Sequence, residues 1–276
     1  AARRQALLEV TSGEAGIVIG THALLEDKVQ FADLGLVVID EQHRFGVEQR
    51  AALAAKSTAG TRPHVLVMTA TPIPRTVAIT VFGDLDVSVL RELPTGRAPI
   101  TTHVVPAIEK PSYLERTWQR VREEVEQGRQ VYVVCPRITS AGSSSADLDG
   151  LESVLDLHDP GVSAPPMANV EDVTAELRDG PLNGLRIGVM HGRMPADDKD
   201  AVMRRFAAGP SDPNRLDVLI STTVIEVGVD VPNASVMIIL NAERFGLSQL
   251  HQLRGRVGRG ADQSYCILVT SYKLSN

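Results

Sequence analysis

The sequence predicts an α/β fold built on parallel sheet, and three observations predict it. Short apolar runs rich in Val, Ile and Leu recur along the chain, as in strands buried on both faces. Helix-like stretches lie between several of them, and strands alternating with helices imply βαβ units. Nearly every run also ends in a compact polar motif, and open α/β sheets bind ligands at the carboxyl ends of their strands.

The first run is Ile17 to Ile19, followed by Gly20-Thr21-His22. Leu34 to Ile39 ends in Asp40-Glu41-Gln42-His43, and Val65 to Met68 ends in Thr69-Ala70-Thr71. Pro and Gly density around Leu93 to Pro99 marks a linker, which divides a domain over residues 1–97 from one over 98–276. In the second part, Leu114, Trp118, Val121 and Val125 recur at helical spacing within Tyr113 to Gln127, and Gly128 closes that helix. The strand candidates there are Val131 to Val134, Ile187 to Met190, Val218 to Ile220, Val236 to Leu240 and Cys266 to Val269. Between them, about residues 140–184, lies an acidic, loop-rich insertion: nine acidic residues stand against one Arg from Asp147 to Asp179.

A length of 276 residues predicts two domains. The 43% hydrophobic and 22% charged composition excludes whole-chain disorder. No apolar run approaches the roughly 18 residues of a membrane span. Cys135 and Cys266 both sit in apolar runs, which supports neither a disulfide framework nor a thiolate zinc site and points to a reducing, cytoplasmic setting. The start, Ala1-Ala2-Arg3-Arg4, has no initiator Met and no signal-peptide pattern, so the chain is expected to begin inside a longer protein. A net charge of −6 argues against coating nucleic acid non-specifically but leaves room for a local basic groove.

Chemistry concentrates at the strand tips. Two successive carboxylates, Asp40 and Glu41, at the end of a buried strand suit magnesium-assisted phosphoryl transfer: one holds the ion through water and the next orients the attacking water. Alone, such a pair is also an ordinary strand terminus. Thr69 and Thr71 flank Ala70 and can relay hydrogen bonds from a phosphate site, although Thr-Ala-Thr-Pro is equally an ordinary turn. Ser221-Thr222-Thr223 and the following Gly228 and Asp230 suit backbone phosphates and a ribose, or a simple helix cap. In Gln252-Leu253-Arg254-Gly255-Arg256-Val257-Gly258-Arg259-Gly260, Arg256 and Arg259 stand three apart, are expected to share one helical face, and can both reach a phosphate. A solvated basic turn is the alternative, against which the interleaved glycines argue.

Together and in this order the motifs resemble a superfamily 2 helicase motor, and within it the RecG family of ATP-dependent DNA helicases. The blocks that carry the resemblance are Asp40 to Val47, Met68 to Thr76, Phe82 to Ser88 and Ala242 to Gly260. Transcription-repair coupling translocases share the Thr-Pro-Ile-Pro-Arg block but are expected to carry Glu-Glu-Gln where this chain has Glu41-Gln42-His43. The resemblance implies two RecA-like (P-loop NTPase-type) domains in tandem, the first truncated at its N-terminus. It implies ATP and Mg2+ as cofactors, with Asp40 placing the ion, Glu41 activating water, and Gln42 and His43 sensing the γ-phosphate. Thr69, Ala70, Thr71 and Gln252 would couple hydrolysis to motion, Gly228 and Asp230 would line the nucleotide cleft, and Arg256 and Arg259 would be finger arginines. Gly20, Thr21, His22, Thr222 and Thr223 would contact DNA.

The implied partners are branched DNA, as in stalled forks and Holliday junctions, and single-stranded DNA-binding protein, for a monomer associated with the bacterial nucleoid and with no membrane. Such a motor also needs a G-x-x-x-x-G-K-[ST] phosphate cradle. Lys28, Lys56, Lys110, Lys199 and Lys273 follow Asp, Ala, Glu, Asp and Tyr, so none belongs to one. The family's wedge domain is missing as well, and the chain alone is expected to be inactive, with exposed apolar sheet edge in residues 1–97. A duplex-DNA translocase and a non-catalytic scaffold that kept the fold are the alternatives.

Overall fold

Apolar runs become strands wherever a second run pairs with them. The computed structural model describes residues 2–26, 28–40, 63–69, 86, 88–90, 97–138, 167–223 and 231–271, which form two compact units, 1–90 and 91–276.

In the first unit, helix α1 (Ala2–Ser12) ends at Gly13, whose φ of +79° suits a residue without Cβ. Strands β1 (Leu36–Ile39) and β2 (His64–Val67) pair in parallel, Leu36 opposite His64 and Ile39 opposite Val67. Because strand side chains alternate, Leu36, Val38 and Leu66 share one face, and each is at least half exposed among the described residues. Among the described residues each of these two strands also has an outer edge with no paired strand. Ile17 to Ile19 forms no strand, and Ile17 and Ile19 are 86% and 94% exposed. A strand needs a neighbour for its backbone groups, and among the described residues none pairs with this run.

The second unit is a six-stranded sheet in the order β3-β8-β7-β4-β6-β5, parallel throughout. Its strands are β3 (Ile100–Pro106), β4 (Gln130–Val134), β5 (Ile187–Met190), β6 (Val218–Ser221), β7 (Ala234–Leu240) and β8 (Ser264–Thr270). Helices α2 (Pro111–Glu126) and α3 (Val170–Asp179) cover one face, while α4 (Ala196–Ala207) and α5 (Leu247–Arg254) cover the other. Alternation along β4 feeds both layers. Val131 and Val133 pack with Val121 and Leu177, whereas Tyr132 and Val134 pack with Phe206 and Leu253. Burial on both sides explains why β4, β6 and β7 read as continuous apolar runs.

Two sequence expectations are corrected here. The insertion at about 140–184 is not loop throughout: Val170, Val173, Thr174 and Leu177 are buried at helical spacing in α3, and Leu182 behind it is fully buried. Asn169 caps the helix through Oδ1, accepting from Asp172 N at 2.9 Å. The acidity that suggested a solvated loop belongs partly to the helix, with Glu171 and Asp172 at its positive end. Residues 139–166 lie outside the described residues. Strand β3 was not expected, because Thr101, Thr102 and His103 interrupt its apolar residues; it is an edge strand, exposed from Thr101 to Val104.

Candidate functional site

In the first unit, the parallel pairing of β1 and β2 brings two of the expected residues to one edge. Met68 N donates to Ile39 O at 2.8 Å, so Asp40 and Thr69 leave the sheet side by side. Both are exposed. Glu41, Gln42, His43, Ala70 and Thr71 lie outside the described residues. Gly20 and Thr21 precede a 3-10 turn over His22–Leu25, in which Leu24 N donates to Thr21 O at 3.0 Å. A Cβ on Gly20 would lie 2.9 Å from Leu24 Cγ, so a larger residue there would require the Leu24 side chain to shift.

In the second unit, every strand points the same way, so all carboxyl ends share one edge. Thr222 N donates to Met190 O at 3.3 Å, and Cys135 N donates to Ser221 O at 2.8 Å, which ties the tips of β4, β5 and β6 together. Thr222 is buried and Thr223 half-buried there. Four tips on this edge carry a buried side-chain atom with no hydrogen-bond partner among the described residues: Arg137 Nε, His191 Nδ1, Ser221 Oγ and Thr270 Oγ1. Buried polar atoms are normally bonded, so this edge offers unspent donors to an oxygen-rich ligand. Burial lowers the pKa of His191, and Arg193 and Lys199 add to that against the raising effect of Glu171. Arg137 and His191 went unrecognised in the sequence, although each follows an apolar run closely, the same criterion that singled out Asp40.

The arginine pair is elsewhere. Helix α5 stops at Arg254, so Arg256 and Arg259 occupy the turn after it and do not share a helical face. Gly258, at φ +73°, breaks the helical path. The turn is seated on strand beginnings: a Cβ on Gly258 would lie 2.7 Å from Ile100 Cγ1, and one on Gly260 2.7 Å from Pro232 O. Arg254 Nη2 donates to Ile100 O at 3.3 Å, and Gln263 Nε2 to Pro99 O at 2.8 Å. Arg259 Nε folds back to Gly255 O at 3.3 Å. Gln252 is half-buried on α5. Gly228 and Asp230 lie outside the described residues. Thr222 and Thr223 therefore stand at the carboxyl edge of this sheet, and Arg256 and Arg259 at its amino edge.

Known proteins are similar to this chain over nearly its whole length. The chain matches the DEAD/DEAH box helicase family over residues 1–79 and the helicase conserved C-terminal domain over residues 110–261. The ATP-dependent DNA helicase RecG of Mycobacterium tuberculosis (strain ATCC 25618 / H37Rv) is 56% identical over 268 residues, covering 97% of this chain and 34% of the relative. RecG of Bacillus subtilis (strain 168) is 49% identical over 272 residues, 98% of this chain and 35% of the relative. The chain thus spans about a third of the length of these relatives. A structure of RecG bound to a three-way DNA junction aligns with a TM-score of 0.61 at 40% identity, covering 97% of this chain and 30% of that one. S. cerevisiae Dbp5 bound to RNA and ADP BeF3 aligns at 0.53 and 13% identity over 91% of this chain and 57% of that one, a likeness of fold alone. With two RecA-like units in tandem and a match over more than half its length, the chain belongs to the family of the helicase conserved C-terminal domain.

Proposed function

We propose that the chain is the motor portion of an ATP-dependent DNA helicase that remodels branched DNA, the first motor domain ending near residue 97 and the second spanning 98–276. The observation that carries this reading is the division of the second unit's sheet into two ends, with the hydroxyl residues Ser221, Thr222 and Thr270 at the carboxyl edge and the glycine-seated pair Arg256 and Arg259 at the amino edge. The carboxyl edge suits a nucleic-acid backbone, because phosphates are held by hydroxyls, N-H groups and cations without base readout. The amino edge suits a nucleotide: Arg256 and Arg259 stabilise charge on the transferred γ-phosphoryl, and Gly228 and Asp230 are assigned to the nucleotide as well.

In the first domain, Asp40 and Thr69 supply a carboxylate and a hydroxyl at one edge, a donor set that fits Mg2+, which keeps most of its shell as water and phosphate. Asp40 holds the ion through water, and Glu41 takes the proton of the attacking water while Gln42 and His43 contact the γ-phosphate. Thr69, Ala70, Thr71 and Gln252 couple hydrolysis to domain movement. Gly20, Thr21 and His22 bind DNA in the first domain, as do Thr222, Thr223, Arg137 and His191 in the second. The setting is the bacterial cytoplasm, with the protein monomeric and working alongside single-stranded DNA-binding protein.

The test is ATP hydrolysis by the chain extended upstream through a phosphate cradle, with and without a three-way junction. Junction-stimulated hydrolysis is expected, and Glu41→Gln or Arg259→Ala should each lower it by about 10³-fold, the scale of a finger arginine. Equal stimulation by linear duplex would instead favour a translocase, and hydrolysis untouched by either substitution would exclude the assigned roles.

A further inference from the structure

The amino edge of the second sheet rests on a charge that the proposed chemistry does not use. Glu124, in the last turn of α2, is fully buried. Its carboxylate accepts from Ser235 Oγ at 2.7 Å and from Arg129 Nε, and it faces Arg120 Nε at 3.1 Å. Burying a carboxylate is costly unless it is paired and hydrogen-bonded; here Oε2 accepts from Ser235 and Arg129, whereas Oε1 has the Arg120 ion pair without a hydrogen bond among the described residues. A buried charge held this way adds little to stability over an apolar side chain, so its value lies in fixing geometry.

What it fixes is visible in its partners. Ser235 is the second residue of β7, three residues after Pro232. Asn233 Nδ2 donates to Gly128 O at 2.8 Å, and Gln130 N donates to Asn233 O at 3.1 Å, so the α2–β4 junction grips residues 233–235. Arg129 Nη1 also reaches Asp262 Oδ1 at 3.6 Å, just past the arginine turn. The two gripped segments meet each other where Gly260 abuts Pro232 O. We infer that Glu124 is a positioning residue: through Ser235 and Arg129 it holds the segment that follows Asp230 and the turn that carries Arg256 and Arg259 in fixed register. The inference rests on the proposed nucleotide end for its purpose, and on these contacts for its geometry.

The test is amide hydrogen exchange in the 276-residue chain, comparing Glu124→Ala and Glu124→Gln with the unaltered protein. Glu124→Ala should speed exchange about tenfold in both 232–236 and 256–262, as local opening does, and leave the β5–β6 side unchanged. Glu124→Gln keeps an acceptor for Ser235 and loses the charge that holds Arg129, so exchange should recover in 232–236 and stay fast in 256–262. A general loss of stability does not give that split. Exchange rising uniformly across the sheet, or staying at the unaltered rate in 256–262 for both variants, would overturn the inference; if Glu124→Ala does not fold, the Gln variant decides alone. Mg2+-ADP affinity in Arg259→Ala tests the nucleotide reading separately, because its failure there would leave the exchange pattern standing.

Discussion

At the scale of single residues, burial decides which reactive groups are available. Cys135 and Cys266 are both buried, and desolvation pushes their thiols up, Cys135 furthest; for Cys266 the nearby Arg254 only partly opposes it. Thiolate is the reactive form, so neither should be alkylated by iodoacetamide at pH 8 in the folded chain, and both should be in denaturant; mass spectrometry reads the difference. His191 gives a pH dependence with a definite sign. Its folded pKa lies below the ordinary 6.5, so between those values the unfolded chain binds more protons and stability rises with pH. Acidification through 6.5 should therefore lower the urea midpoint, and His191→Gln should flatten that slope. A phosphate at the carboxyl edge would favour the charged imidazole and oppose the effect.

At the scale of elements, close packing and backbone geometry set the costs. Leu177 is buried in α3 among the residues that cover the sheet, so Leu177→Ala should destabilise the second unit by about 2–5 kcal/mol; a loop residue would cost far less. Gly258 combines φ +73° with a neighbour 2.7 Å from its virtual Cβ. Gly258→Ala should cost about 1–3 kcal/mol, the usual range for strain and overpacking, and should displace Arg259. Chemical denaturation and nucleotide binding check the two parts. Helix α2 shows the opposite case, since apolar spacing and the glycine at 128 marked its body and its end in the sequence, and Gly128 has the φ of +80° that a C-terminal glycine takes. Strand β3 and the run Ile17 to Ile19 mark the limit of that reading, because strand formation depends on a neighbour and a short sequence window does not contain one.

At the scale of the whole molecule, a net charge of −6 has to be reconciled with the phosphate contacts of the proposed function. DNA affinity should fall linearly with salt on logarithmic axes between about 50 and 200 mM, and Arg137→Ala should reduce the slope by about 1 while weakening all sequences alike. Fluorescence anisotropy with a labelled junction measures both. A salt-independent affinity would remove the carboxyl edge from the DNA path.

What the sequence by itself determined is the fold class and the parallel strands of both units except β3. These follow from apolar runs, from the residues that end them, and from motif order, all of which are local. The sequence placed Asp40 and Thr69 each at the tip of its own run, and the hydrogen bond from Met68 N to Ile39 O puts the two tips on one edge. Only the tertiary structure decided that Thr222 and Arg256 stand at opposite edges of one sheet, that the acidic segment contains a core helix, and that the arginine turn is seated on Pro232 and braced by Glu124. Each depends on residues far apart in the chain meeting across the sheet. Chain direction in a parallel sheet, packing against a distant strand and the pairing of a buried charge are properties of the assembled core.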